Sequence, residues 1–505
     1  MPAAKDPATL VGPLDRGLTV LRAMSEPGNH RLRPSDLVHA TGLARSTVDR
    51  VVGTLVRLDL LRAVGRDVEL TPRLMEFGNA YLAGCAIADA LEPYAEQLAD
   101  ELDESVSVAV PDGAGVRFVT QVIRRRTMAP VFRIGDLLPA DRCAAGMVFQ
   151  PGNPGWAADD QRMEEGLLAV AVPVRDDTGR QVCAMSVVSH TSRHTSESLT
   201  ATALPRLRSL LPDLERALSE ARSRPPGPRP AGRPPGASLC AKRELGAGFL
   251  QSLARGLEVL GVLGGDPRGL TLSAVAEAVG QPRATARRAL LTLEQLGYVA
   301  HRERRFRPLP RVLELGYAHL SGLGFTEIVH PHLEQLAAEV GESASVAVLD
   351  GTDIRYVARV PAYRIMSVNI TVGTRFPAHA TSMGRVLLAA LAPAARSEVI
   401  ARSALRPFTD RTITDHAALL RALDEITSRG YALADEELEQ GLRSLAVPLR
   451  DRAGHPLAAL NLATYTGRGT AEQSEATLLP ALLRSARRIE ADLHTAFERR
   501  PLHLP

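Results

Sequence analysis

The sequence is written twice. LDRGLTVLRAM at Leu14–Met24 returns as LARGLEVLGVL at Leu253–Leu263, and ESVSVAVPDG at Glu104–Gly113 returns as ESASVAVLDG at Glu342–Gly351. GLLAVAVPVRDDTG (Gly166–Gly179) likewise recurs as GLRSLAVPLRDRAG (Gly441–Gly454). Several matches in the same order over this length mark a tandem duplication. Each half must therefore be able to adopt much the same fold. The 505 residues allow roughly three or four domains on length alone.

The copies are unequal. Pro139–Gly146 (PADRCAAG) aligns with Pro377–Gly384 (PAHATSMG). The first copy then reaches Gly166 after 20 residues, whereas the second takes 57 to reach Gly441, so the first lacks 37 residues. In the second copy that span reads as helices, VLLAALAPAARSEVIARSAL and HAALLRALDEITSRG. Between the copies, Arg222–Gly236 (RSRPPGPRPAGRPPG) holds six prolines, three glycines and four arginines. That composition predicts an extended, solvated linker.

Thr271–Arg307 carries the clearest local signal. Leu272, Val275, Ala276 and Val279 recur at helical spacing, with Thr271 available as a cap. Gly280 permits a tight turn, and Pro282 is placed to open a second helix as its first-turn residue. That helix groups Ala286, Ala289, Leu290, Leu293 and Leu296 on one face and leaves Arg283, Thr285, Arg287 and Arg288 outward. Gly297 ends it, and a basic hairpin follows through His301, Arg302, Arg304, Arg305 and Arg307. The pattern is a winged helix-turn-helix for double-stranded DNA. Its second helix fits the major groove, where guanidinium groups donate in pairs to guanine edges. The hairpin arginines reach phosphates or an adjacent minor groove.

Arg33–Leu61 is the equivalent in the first copy, with Arg45, Ser46, Thr47, Asp49 and Arg50 exposed on its second helix. Asp49 stands where the second copy has Arg287, and the wing RAVGRDVEL is less basic than HRERRFR. Two unlike readers predict dissimilar half-sites if both engage DNA together. Downstream, a connecting helix is expected over Pro310–Leu320. SVAVLDG, IRYVARV and SLAVPLRD then read as strands and PHLEQLAAEVG and LLPALLRSARRIEADL as helices. The economical packing is a sheet with helices on one side.

Composition excludes other classes. A net charge of +3 confines any basic surface to local patches, and 4% aromatics argue against stacking platforms for single strands. Cys85, Cys143, Cys183 and Cys240 form no paired ligand spacing and suit a reducing cytosol. No apolar run approaches the ~18 residues of a membrane span, and the N-terminus lacks a signal-peptide core, so a cytoplasmic location is expected. P-loop, dinucleotide-binding, HExxH and GxSxG motifs are missing, and no catalytic residue or cofactor is assigned. His330-Pro331-His332 reads as a helix start rather than a metal site, since no acidic or thiol partner is evident, and His379 lacks a nucleophile to activate.

The order ARGLEVL, TLSAVAEAVGQPRATARRALLTLEQLGYV, GTRFPAHATSMGRVLLA and DEELEQGLRSLAVPLRD resembles the isocitrate-lyase-regulator (IclR) family of bacterial transcription factors. The second copy is most similar to the branch regulating protocatechuate and 4-hydroxybenzoate catabolism. The resemblance implies an α+β chain in which each winged helix-turn-helix precedes a GAF-like effector domain, the first truncated. It places the parts at residues 1–76, 77–221, a linker at 222–248, 249–317 and 318–497. It also implies an effector, a small carboxylate-bearing molecule such as an aromatic or keto acid. Ser382, Met383, Gly384, Asp435, Ser444, Asn461 and Ala463 would hold it, with the register of the acidic run at Asp435 open by one residue. Backbone N–H groups beside Gly384 and the small hydroxyls suit a carboxylate, and Arg375 and Arg443 either add charge or serve the fold. In the first copy Ala144, Ala145, Ala169 and Ser186 stand at the positions of Ser382, Met383, Ser444 and Asn461. That domain is therefore expected to pack rather than sense. Family resemblance implies homo-oligomers, and duplication offers an internal pseudo-dimer. The rival reading is an architectural DNA-bridging protein independent of any ligand.

Overall fold

The computed structural model describes residues 10–124, 126, 132–223, 246–362 and 370–505. It divides into two compact units, 1–322 and 323–505. The Pro/Arg/Gly-rich stretch from 224 to 245 and Cys240 lie outside the described residues.

Unit 1 begins with helices α1 (Gly12–Ser25), α2 (Pro34–Thr41) and α3 (Arg45–Arg57), the last two separated by Gly42 at φ 67°. Strand β1 (Arg31–Leu32) joins the hairpin of β2 (Leu61–Val64) and β3 (Asp67–Leu70) in the order β1-β3-β2. Helices α4 (Met75–Cys85) and α5 (Ile87–Leu102) lead into a six-stranded antiparallel sheet. Its strands are β4 (Ser105–Asp112), β5 (Gly115–Val122), β6 (Leu137–Pro139), β7 (Ala157–Asp160), β8 (Leu167–Arg175) and β9 (Gln181–His190), in the order β6-β5-β4-β9-β8-β7. The one-turn α6 (Ala144–Met147) and the long α7 (Ser196–Ser223) pack on this sheet. Arg222, read from the sequence as the first linker residue, belongs to α7, where it pairs with Asp176 at 3.1 Å.

The second helix-turn-helix completes the unit. It comprises α8 (Gln251–Gly261), β10 (Leu270–Thr271), α9 (Leu272–Ala278), α10 (Arg283–Gln295), β11 (Val299–Arg302) and β12 (Arg305–Pro308). Thr271 caps α9 by accepting from the Ala274 N–H at 3.3 Å, as its position predicts. Pro282 is the residue before α10 rather than its first turn, because its ψ of 138° is extended. The connecting helix expected over Pro310–Leu320 is broken. Gly316 at φ 84° separates a 3-10 turn (Pro310–Glu314) from α11 (Tyr317–Leu320).

Unit 2 repeats the sheet domain without the deletion. Helix α12 (Phe325–Val340) precedes β13 (Ser343–Asp350), β14 (Asp353–Val360), β15 (Arg375–Pro377), β16 (Ala432–Asp435), β17 (Leu442–Arg450) and β18 (Pro456–Tyr465). Their order, β15-β14-β13-β18-β17-β16, is that of the first sheet. The residues absent from the first copy form most of α13 (Ser382–Ala389) together with α14 (Pro393–Arg402) and α15 (His416–Arg429), and α16 (Ala471–Ala496) closes the chain. Helices cover both faces of this sheet, not one. Neighbouring side chains on a strand point to opposite faces. Arg443 accordingly reaches Ser474 of α16 at 3.0 Å, while Ser444 meets Ser382 of α13 at 2.8 Å. The α13 face is sealed by Met383, Val386, Leu387, Ile400, Leu419 and Leu423 against small residues of the sheet such as Ala347, Ala446 and Ala459.

Candidate DNA-reading and effector sites

In both readers the second helix turns a polar edge outward because its apolar residues recur on one side only. Val48, Val51, Val52 and Leu55 bury one side of α3, and Ala286, Ala289, Leu290 and Leu293 bury one side of α10. Arg45, Ser46 and Arg50 are exposed on α3, with Thr47 half-buried. Arg283, Arg287 and Arg288 are exposed on α10, with Thr285 half-buried. Arg302 and Arg304 extend the second wing into solvent. Arg305 does not join them, because its Nη1 donates to the Gly269 carbonyl at 2.7 Å and ties the wing to the loop before α9.

The readers pack on each other through equivalent residues. A Cβ on Gly17 would lie 2.2 Å from Leu253, and one on Gly256 would lie 2.5 Å from Leu14, so each helix seats its leucine where the other lacks a side chain. The Val11 N–H donates to Thr292 Oγ1 at 3.0 Å, and the Leu250 N–H donates to Thr54 Oγ1 at 3.0 Å. Both hydroxyls also donate back to the fourth preceding carbonyl, at 2.8 Å for Thr54 and 2.9 Å for Thr292. Beyond them, Tyr317 Oη donates to Asn79 Oδ1 at 2.8 Å in the buried joint between α4 and α11. Thr54 and Thr292 were not singled out from the sequence. A threonine facing the apolar side of both repeated helices was the available signal.

In unit 2, α13 brings Ser382 onto the sheet. The Ser382 hydroxyl lies 2.8 Å from Ser444 Oγ on β17 and 3.3 Å from Asn461 Oδ1 on β18. Ser382 and Asn461 are buried. Ser345, buried and directly opposite Asn461 in the ladder, is a further polar neighbour that sequence reasoning missed. Met383 is buried in the apolar cluster beside this group, and Ala463 follows Asn461 on the same face of β18. Gly384 is held tightly. A Cβ there would meet the Ala378 backbone at 2.2 Å, and its N–H already donates to Thr381 Oγ1 at 3.0 Å.

Asp435 is not brought to this group. It stands opposite Arg443 in the ladder, accepts from Arg443 Nε and Arg411 Nη1 at 2.7 Å each, and so lies on the α16 side of β16. Arg443 is spent there too, and Arg375 is held by Asp350 and Asp353, so both serve the fold. The acid that does reach the α13 side is Glu437, in a buried two-pronged ion pair with Arg385. Arg385 Nε also donates to the His379 carbonyl at 2.7 Å, and burial holds the His379 imidazole below its ordinary pKa. His332 lies inside α12 rather than at its start. It does have an acidic partner, Asp492 of α16 at 2.8 Å, which sequence distance concealed. Among the described residues no group of three His, Cys, Asp or Glu is placed to hold a metal, and no helix is long and apolar enough to cross a membrane.

The first sheet domain departs at the same places. Ala144, Ala145 and Ala169 are buried with Cys143, Val148 and Phe118 in one apolar cluster, and Ser186 meets Ser107 at 3.1 Å instead of a residue on α6. Asp159 occupies the position of Ala434, as the matching registers Asp159↔Ala169 and Ala434↔Ser444 show. Burial raises its carboxyl pKa, and Oδ2 has no hydrogen-bond partner.

Two helix-turn-helix readers, each followed by a sheet domain of one topology, define a DNA-binding transcriptional regulator. Sequence comparison gives the family. "IclR helix-turn-helix domain" matches residues 13–65 and 252–303, and "Bacterial transcriptional regulator IclR C-terminal" matches 79–151, 152–215 and 317–491. The chain belongs to the IclR family of bacterial transcriptional regulators. The C-terminal match in the first copy breaks between 151 and 152, within the shortened span. The Pca regulon regulatory protein of Pseudomonas putida is 41% identical over 240 residues, 47% of this chain and 82% of that protein. The p-hydroxybenzoate hydroxylase transcriptional activator of Acinetobacter baylyi is 35% identical over 243 residues, 47% of this chain and 90% of its own. Among solved structures, a transcriptional regulator from Rhodococcus sp. RHA1 is 49% identical with a TM-score of 0.46, covering 49% of this chain and 99% of that one.

Proposed function

We propose that this regulator binds operator DNA through its paired readers and that a small carboxylate-bearing metabolite, an aromatic acid, tunes that binding from the second sheet domain. The observation that carries this reading is the polar group of Ser382, Ser444 and Asn461, set under α13 within an apolar surround. A few convergent hydroxyl and amide groups inside apolar walls suit an aromatic ring with one acidic substituent. The names of two relatives, a Pca regulon regulator and an activator of p-hydroxybenzoate hydroxylase, support the aromatic class. The first sheet domain, where alanines replace Ser382 and Ser444, acts as a packing module. Coupling requires the effector to prefer one arrangement of the readers over another.

The test is a titration of the full chain with hydroxybenzoates and small keto acids, read by calorimetry and by affinity for the promoter beside its own locus. One bound acid per chain with a changed operator affinity is the expected result. Two bound acids would give the first domain a sensory role, and unchanged operator affinity would favour ligand-independent bridging.

A further inference from the structure

The readers meet by reciprocal contacts, Leu14 on Gly256 with Leu253 on Gly17, and Thr54 with Leu250 as Thr292 with Val11. Such self-complementary pairing is what two identical subunits make about a twofold axis. Here one chain makes it internally, and the leucines, glycines and hydroxyls that form it are consumed. The DNA-facing edges are not equivalent. On α3, Asp49 accepts from Arg45 Nε at 3.0 Å and 3.2 Å, so the first turns of that helix offer a neutralised pair beside Arg50. On α10, Arg283, Arg287 and Arg288 are exposed and make no ion pair among the described residues. The wings repeat the contrast. In the first, Arg62 pairs with Glu69 at 3.4 Å and Arg66 is exposed at the tip, whereas Arg302 and Arg304 are both exposed in the second.

We propose that a single chain occupies a complete operator made of two unlike half-sites, and that Asp49 sets the weaker half. The proposal rests on the regulator reading above. Each unpaired guanidinium that meets a phosphate displaces a counterion, so the α10 half anchors the complex. At the α3 half, the Asp49 carboxylate repels phosphate, holds Arg45 back from guanine and can itself accept from a cytosine amine.

The experiment is selection of binding sites from random duplexes by the full chain, with mass photometry on the enriched site and Asp49→Arg in parallel. The expected consensus is non-palindromic, with one strongly and one weakly specified half, and the complex contains one chain per duplex. Asp49→Arg should gain roughly tenfold in affinity for a duplex bearing two inverted copies of the strong half. A palindromic consensus, two chains per duplex, or an Asp49→Arg variant with unaltered preference overturns the proposal while sparing the regulator reading. Enrichment of no sequence at all overturns both.

Discussion

Arg385 and Glu437 form a buried two-pronged ion pair across unit 2, joining α13 to the turn after β16. Removing one partner leaves the other charge buried without compensation. Arg385→Ala should therefore destabilise unit 2 by about 3–5 kcal/mol, read as a lowered melting transition. Replacing both residues by apolar ones of similar volume should cost much less. Equal losses in the single and double variants would show that the pair contributes packing alone.

Ser444 sits on the α13 face, while its neighbour Arg443 serves the opposite one. Ser444→Ala removes the hydroxyl and adds no bulk. It should weaken a bound hydroxybenzoate by about 1–2 kcal/mol in calorimetry and leave DNA affinity without effector unchanged. Arg443→Met should instead lower the melting temperature.

Arg287 and Arg305 carry the same charge in different settings. Arg287→Ala should cost about 1–3 kcal/mol in operator binding if it reads a base edge, with relaxed preference at one position. Arg305→Ala, which frees the Gly269 carbonyl, should reduce thermal stability and leave the salt slope of binding nearly unaltered.

His30 stacks on His319 with ring centroids 3.4 Å apart. Burial, then the charge of His30, pushes His319 down to about 4, and burial also lowers His30, with Arg133 adding to both. A depressed folded pKa means that the unfolded chain binds more protons between the two values. Stability from His319 is thus complete above the unfolded pKa of about 6.5 and falls as pH drops toward about 4, by at most roughly 1.4 kcal/mol per pH unit. Denaturant midpoints of the wild type and His319→Gln between pH 7 and pH 4.5 would check this. The variant should lose much of the acid sensitivity.

Gly384 lies too close to the Ala378 backbone, 2.2 Å from a would-be Cβ, for any side chain. Gly384→Ala should displace α13 and cost about 1–3 kcal/mol. The equivalent Gly146→Ala, 2.3 Å from Ala140 Cα, should do likewise in unit 1. A difference between the two would measure how far the shortened domain tolerates movement.

Much of this was legible in the residues. Helical periodicity, the Thr271 cap and the turn glycine Gly280 located the second reader, and the loss of 37 residues located the missing helices of the first sheet domain. Alternation along β17 was present in the sequence too. Without the ladder, though, nothing showed that Asp435 opposes Arg443 rather than Ser444.

The repeated sequence by itself determined two readers, two sheets of one topology and their unequal completeness, because local periodicity and turn chemistry are written in neighbouring residues. Only the tertiary structure decided which side chains are already satisfied. Arg305 is anchored to Gly269, Asp435 is claimed by two arginines, and Glu437 is buried with Arg385. It also decided that the two readers meet each other within one chain. The physical reason is that charge pairing and close packing depend on distances between residues far apart in the chain, and sequence spacing does not set those distances.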